Sequence, residues 1–168
     1  LGNNAFTDAL ATAQEAQRKA PRDYRAPYYI AYALMSLGDL DGALAAQEKA
    51  LALADNPQRE ASVKKLAASI ESRKALIDAE EAANAGLNGK AARLFAEAFD
   101  KGGPPEAAVK AAQIQSSQLG DVVTAARLLN RVLADHPTSP AGQQAADLLV
   151  SLSRASPPWP TTASARHS

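Results

Sequence analysis

The side chains best suited to molecular recognition lie close together. Tyr24, Tyr28, Tyr29 and Tyr32 are all the tyrosines of the chain, and Arg18, Lys19, Arg22 and Arg25 place four cations beside them with Asp23 as the one anion among them. Tyr24, Tyr28 and Tyr32 recur at four-residue steps and Met35 extends the row, so a helix through this segment carries them as one stripe. A tyrosine offers a large rigid apolar face and a hydroxyl at low entropic cost. That suits contact with a partner, and it equally suits filling space between alanine-rich helices. The cations have two matching uses, meeting a partner carboxylate or complementing a helix C-terminus.

Residue types that carry catalysis are sparse. The two histidines are His136, beside Pro137, and His167, next to the last residue, and neither has a Ser/Asp partner or metal co-ligands in sequence. Cysteine is absent, which excludes disulfides, thiolate catalysis and Cys-type zinc sites and is compatible with cytosol and periplasm alike. Asp78, Glu80 and Glu81 crowd three carboxylates together and read as a solvated helix face. Gly102-Gly103 is followed by Pro104-Pro105, and not by the Lys and helix N-terminus of a phosphate-binding loop. The expectation is a chain with no catalytic residue, no cofactor and no metal.

Charge and hydropathy narrow the partners. Eighteen Lys+Arg balance eighteen Asp+Glu, so the long-range pull toward nucleic acid or an anionic membrane is missing. No apolar run reaches the length of a membrane span. Protein is the expected partner class. Leu1 in place of an initiator Met reads as a mature or excised piece, and the alanine-rich, arginine-favouring composition points to a GC-rich bacterial gene.

The elements that must position these residues follow a repeat. Leu37-Gly38-Asp39, Ala85-Gly86-Leu87 and Leu119-Gly120-Asp121 each separate an apolar-periodic helix from an alanine-centred one. Gly86 and Gly120 are 34 residues apart, whereas Gly38 and Gly86 are 48 apart. The difference is the length of one extra helix. That extra segment carries Val63, Leu66, Ala67 and Ile70 at helical spacing, and nothing between Pro57 and Gly86 breaks a helix. The spacing predicts one continuous helix over about 58–85, with a bend near Ser72 as the alternative.

The boundaries are a half repeat 1–23, a repeat 24–57, the extra helix 58–71, repeats 72–105 and 106–139, a capping helix 140–154 and a Pro/Ser/Thr-rich tail 155–168. In the half repeat, Ala9, Ala13, Ala16 and Pro21 follow the second-helix pattern, and Leu1-Gly2-Asn3 mimics the turn that precedes it. Its first helix is missing, so an upstream segment or another chain is expected to cover the exposed face. Homo-oligomer formation through this half repeat is one form of that expectation. The last helix turns Ala145, Leu148, Leu149 and Leu152 inward and Gln143, Gln144, Asp147 and Ser151 outward, as a cap does. In the tail, Pro157-Pro158-Trp159-Pro160 favours an extended polyproline conformation of the kind aromatic grooves recognise.

Ala43 and Ala50, then Ala91, Phe95 and Ala98, then Ala125, Leu129, Val132 and Pro137 make these helix pairs resemble the tetratricopeptide repeat, a 34-residue helix-turn-helix unit. Departures fall in the first helices, where Pro27, Ala75 and Val109 replace the family's aromatic and Leu34, Ala82 and Ser116 replace its Tyr, and at the closing Pro, which Asp55 and Gly103 replace in two units with Pro57 and Pro104 close by. The resemblance implies an all-α, right-handed αα-superhelix whose first helices line a concave groove. It places Tyr28, Tyr32 and Met35 there as apolar contacts, with Arg25, Arg73 and Lys110 to orient charged groups of a bound peptide or helix. The family's Lys and Asn set for a C-terminal carboxylate is replaced by Tyr28, Tyr32, Leu76 and Glu80, so that specialisation is not expected. The function implied is a non-catalytic protein-binding scaffold. The alternative is a self-association module or regulatory segment of a larger bacterial protein.

Overall fold

A computed structural model describes residues 2–155. Within them the chain is all-helical: α1 (Gly2–Lys19), α2 (Arg25–Leu37), α3 (Leu40–Leu53), α4 (Pro57–Asn84), α5 (Asn88–Asp100), α6 (Pro105–Ser117), α7 (Val122–Asp135) and α8 (Pro140–Ala155). Each helix packs chiefly on its neighbours in sequence, as in a helical repeat. The expected tail 155–168, apart from Ala155, lies outside the described residues, and with it Trp159 and His167.

Local chemistry sets the ends of the helices. At the first turn Gly38 adopts φ 90°, which an L side chain resists. Its N–H donates to the Met35 carbonyl at 3.2 Å, while the Asp39 N–H donates to the Leu34 carbonyl at 3.0 Å, so the last carbonyls of α2 are satisfied. Asp39 then caps α3 by accepting from the Gly42 N–H at 2.9 Å, and Asp121 does the same for α7 through Thr124. Asn56 accepts from the Arg59 N–H at 3.0 Å and Pro57 opens the first turn of α4. Pro27 is tolerated within α2 because it falls in the first turn, where the N–H has no helical partner.

One element of the reading from sequence is corrected. Gly2 is not an inter-helix turn: it is the first residue of α1 and does not adopt a positive φ. The helix continues without interruption from there to Lys19.

Helix α4 runs unbroken for 28 residues, about 42 Å at 1.5 Å per residue. Its two halves serve different cores. Leu66 and Ile70 join Ala13, Ile30, Ala31, Ala43 and Ala46 in one cluster. Ala75, Ala79 and Ala82 join Phe95, Phe99, Val109, Leu129 and Val132 in the other. Between them sits Ser72, buried, whose hydroxyl donates to the Ala98 carbonyl at 2.9 Å. The extra half-helix thus carries the chain from the first cluster to the second. At the far end α8 buries Ala141 and Ala145 and leaves Gln143, Gln144 and Asp147 exposed.

Candidate functional site

Two open grooves gather most of the recognition chemistry. The first lies between α1 and α2. There the tyrosine row divides, because a helix turning about 100° per residue points successive side chains to different neighbours. Tyr28 and Met35 turn inward and pack on the cluster that contains Leu66 and Ile70 of α4. Tyr29 and Tyr32 remain 58% and 48% exposed. Together with Phe6, Ala9, Ala13 and Ala16 they line a concavity of ≈ 630 Å³. The rings steady one another: Tyr28 meets Tyr29 edge to face at 5.6 Å, and Tyr24, 6.5 Å from Tyr28, lies under the Arg59 guanidinium at 5.0 Å.

Arg25 rims this groove but is already engaged. Its Nε donates to both carboxylate oxygens of Asp23 at 3.0 Å, and its amide donates to the same group. The Arg25 guanidinium and amide hold the Asp23 carboxyl at about 2, from an ordinary 3.8. A carboxyl depressed on folding contributes stability above its ordinary pKa, and that contribution disappears as pH falls from near 3.8 toward 2. Asp23→Asn keeps the oxygen that accepts the amide and loses the ion pair. Thermal melts are therefore expected to show wild type above Asp23→Asn near neutral pH and the two converging near pH 2. A gap that persists unchanged into acid would contradict this assignment. Beyond Asp23, Glu15 pairs with Arg18 and Lys19, and Arg22 has no ion pair among the described residues. The cationic end of α1 keeps a positive excess.

The second groove, ≈ 710 Å³, lies across α4, α5 and α6. Glu80 and Asn84 of α4 face it, and so do Ile114 of α6 and Gln118, the residue that caps its C-terminus, their counterparts 34 residues on. The repeat therefore places the same two register positions of successive units on one wall. Phe95, nearly buried, forms part of the lining. Over its ring, at 5.3 Å, stands the Lys110 ammonium, which also reaches the Glu80 carboxylate at 3.3 Å. Arg73 is exposed on α4 and lines neither of these two grooves.

The named residues are thus distributed. Arg25 and Tyr32 meet at the first groove, Lys110 belongs to the second, Tyr28 and Met35 support the wall from behind, and Arg73 stands apart. Tyr29, Phe6 and Phe95 were not singled out by the row of four-residue steps. The signal for Tyr29 was present as Ala26, Tyr29 and Ala33, a second helical face whose small residues open the way to α1. Phe95 carried the repeat's own aromatic signal and reads from sequence as core alone.

The chemistry available is hydrogen bonding, charge and apolar contact. Among the described residues no three His or acidic side chains converge as a metal site, and no buried side-chain polar atom lacks a partner. His136 lies edge-on to Phe99 at 6.2 Å in the closing turn of α7. No helix of the described residues is long and apolar enough to cross a membrane. The chain matches no protein-family model, no curated protein and no solved structure.

Proposed function

We propose that the chain is a protein-binding scaffold of tetratricopeptide-like units, taking a peptide or helix of a partner along the face made by α2, α4 and α6. The observation that carries this reading is the α4–α6 groove, where Glu80, Asn84, Ile114 and Gln118 line one open wall in register. Carboxamides there offer both donors and acceptors to a peptide backbone. The Lys110–Glu80 pair is exposed, and such pairs contribute only about 0–1 kcal/mol. A ligand carboxylate can replace Glu80 at little cost, with Phe95 and Ile114 as apolar contact beneath. Tyr32 and Arg25 supply apolar and charged contact at the first unit, and Arg73, exposed on α4, is a further cation outside both grooves.

Selection of binders from a random peptide library tests the reading. Selected peptides are expected to carry an acidic residue beside an apolar one and to lose about tenfold or more in affinity on Lys110→Glu, because a like charge then faces their carboxylate. Lys49→Glu, on the exposed side of α3, is expected to leave binding unchanged. Equal binding by wild type and Lys110→Glu would overturn the assignment of this groove. The other reading, assembly through the half repeat or regulation within a larger bacterial protein, draws on the open α1–α2 face.

A further inference from the structure

Lys110 in the α4–α6 groove is held from two sides. The Glu80 carboxylate meets its ammonium at 3.3 Å, and the ring of the nearly buried Phe95 faces it at 5.3 Å. The contact with the ring survives when Glu80 lets go, because an aromatic face attracts a cation whatever its counter-ion. Both charged side chains are half or more exposed, so a ligand reaches each of them. They are also the only charged residues that line this groove among those described. One ion pair therefore balances the groove, and that balance restricts what can enter.

A ligand carboxylate that took Lys110 from Glu80 by itself would leave two carboxylates side by side with one ammonium between them. No second cation lines the groove to answer the added charge, and like charges brought together oppose binding. A ligand that brings a cation along with its carboxylate removes the conflict. Its carboxylate joins Lys110, its cation joins Glu80, and the four charges alternate. The uncharged part of the wall indicates the form of such a ligand. The carboxamides of Asn84, Asn88, Gln113 and Gln118 make no hydrogen bond to the protein among the described residues. A helix uses its backbone groups internally, whereas an extended segment leaves an N–H and a C=O at nearly every residue for such carboxamides. In an extended segment side chains two residues apart stand on the same face, about 7 Å from one another. Long acidic and basic side chains so placed converge readily on a Lys–Glu pair.

We propose that the α4–α6 groove binds an extended segment of a partner protein with an acidic and a basic residue two positions apart, the acidic one on Lys110 and the basic one on Glu80. The proposal rests on the protein-binding reading of this groove and adds the charge pattern of the partner. The Lys110–Glu80 pair stands in for the partner's own pair until the two regroup. Segments bearing acid alone are disfavoured by Glu80, and segments bearing base alone by Lys110.

The test uses the whole chain and peptides selected on it from a random library. Selected peptides are expected to carry an acidic and a basic residue two positions apart. Replacing the basic residue by Gln should weaken binding to wild type about two- to fivefold, the range of an exposed ion pair. The same replacement should leave binding to Glu80→Gln unchanged, because the carboxylate it answers is gone. Glu80 is exposed and Gln matches its size, so the thermal melt of Glu80→Gln should follow wild type. Peptides that depend on Lys110 yet lack the basic residue would overturn the charge pairing and leave the groove assignment standing. So would a basic residue that counts equally toward wild type and Glu80→Gln. Peptides indifferent to Lys110→Glu, or no binder at all, would overturn the groove assignment and this inference with it.

Discussion

Phe95→Ala is expected to cost about 3–5 kcal/mol of stability, the range for removing a buried aromatic ring. The ring is 3% exposed and belongs to the larger cluster, among Ala91, Ala98, Ala108 and Ala112. Such neighbours are too small to collapse into the space it leaves. Against a whole-domain stability of about 5–15 kcal/mol this is a large share. The loss should also be local, because in a helical repeat each unit leans on its neighbours alone. Hydrogen exchange is expected to accelerate in α5 and α6 while the amides of α2 and α3 keep their protection. Phe95→Leu, nearly matched in volume, should cost less than about 1.5 kcal/mol. An unfolding midpoint for Phe95→Ala equal to that of wild type would contradict the packing described.

Arg73→Pro is the second large effect, about 3 kcal/mol or more. Arg73 is exposed in the middle of α4, so its side chain contributes little, and Arg73→Ala should stay within about 0.5 kcal/mol of wild type. Proline removes the N–H that bonds to the carbonyl of Ser69 in a regular helix and sets its ring against that carbonyl. It also drives Ser72 away from the helical region, and with it the hydroxyl that donates to Ala98. Two helices bent at Ser72 would accept a proline at that junction with little loss. A denaturation midpoint that barely moves would therefore favour the bend over the continuous helix.

Much of this architecture was legible residue by residue. The caps Asp39, Asn56 and Asp121 and the turn at Gly38 are local devices, set by side chains that bond within three residues of themselves and by a backbone only glycine readily adopts. The length of α4 followed from the unequal intervals between glycines and the absence of a breaker. The polar outer face of α8 was equally visible, since a helix displays its own amphipathicity. Gly2, read as a turn, is instead the first residue of α1.

The grooves were less legible. Four-residue steps string Tyr24, Tyr28 and Tyr32 into one row, yet they say nothing about which neighbour lies against each ring. α2 touches α1, α3 and α4. Tyr28 and Met35 are half-buried against a cluster shared by α1, α2, α3 and α4, while Tyr29 and Tyr32 stay exposed in the groove beside α1. In the same way Lys110 and Glu80 are 30 residues apart in sequence and 3.3 Å apart in space. The sequence by itself determined the helices, their ends and their repeat, because each depends on contacts within a turn or on a period along one chain. Only the tertiary structure decided which tyrosines are walls and which are core, and which registers share a groove. Those depend on the angle and distance at which separate helices meet, a property of packed pairs that no single helix encodes.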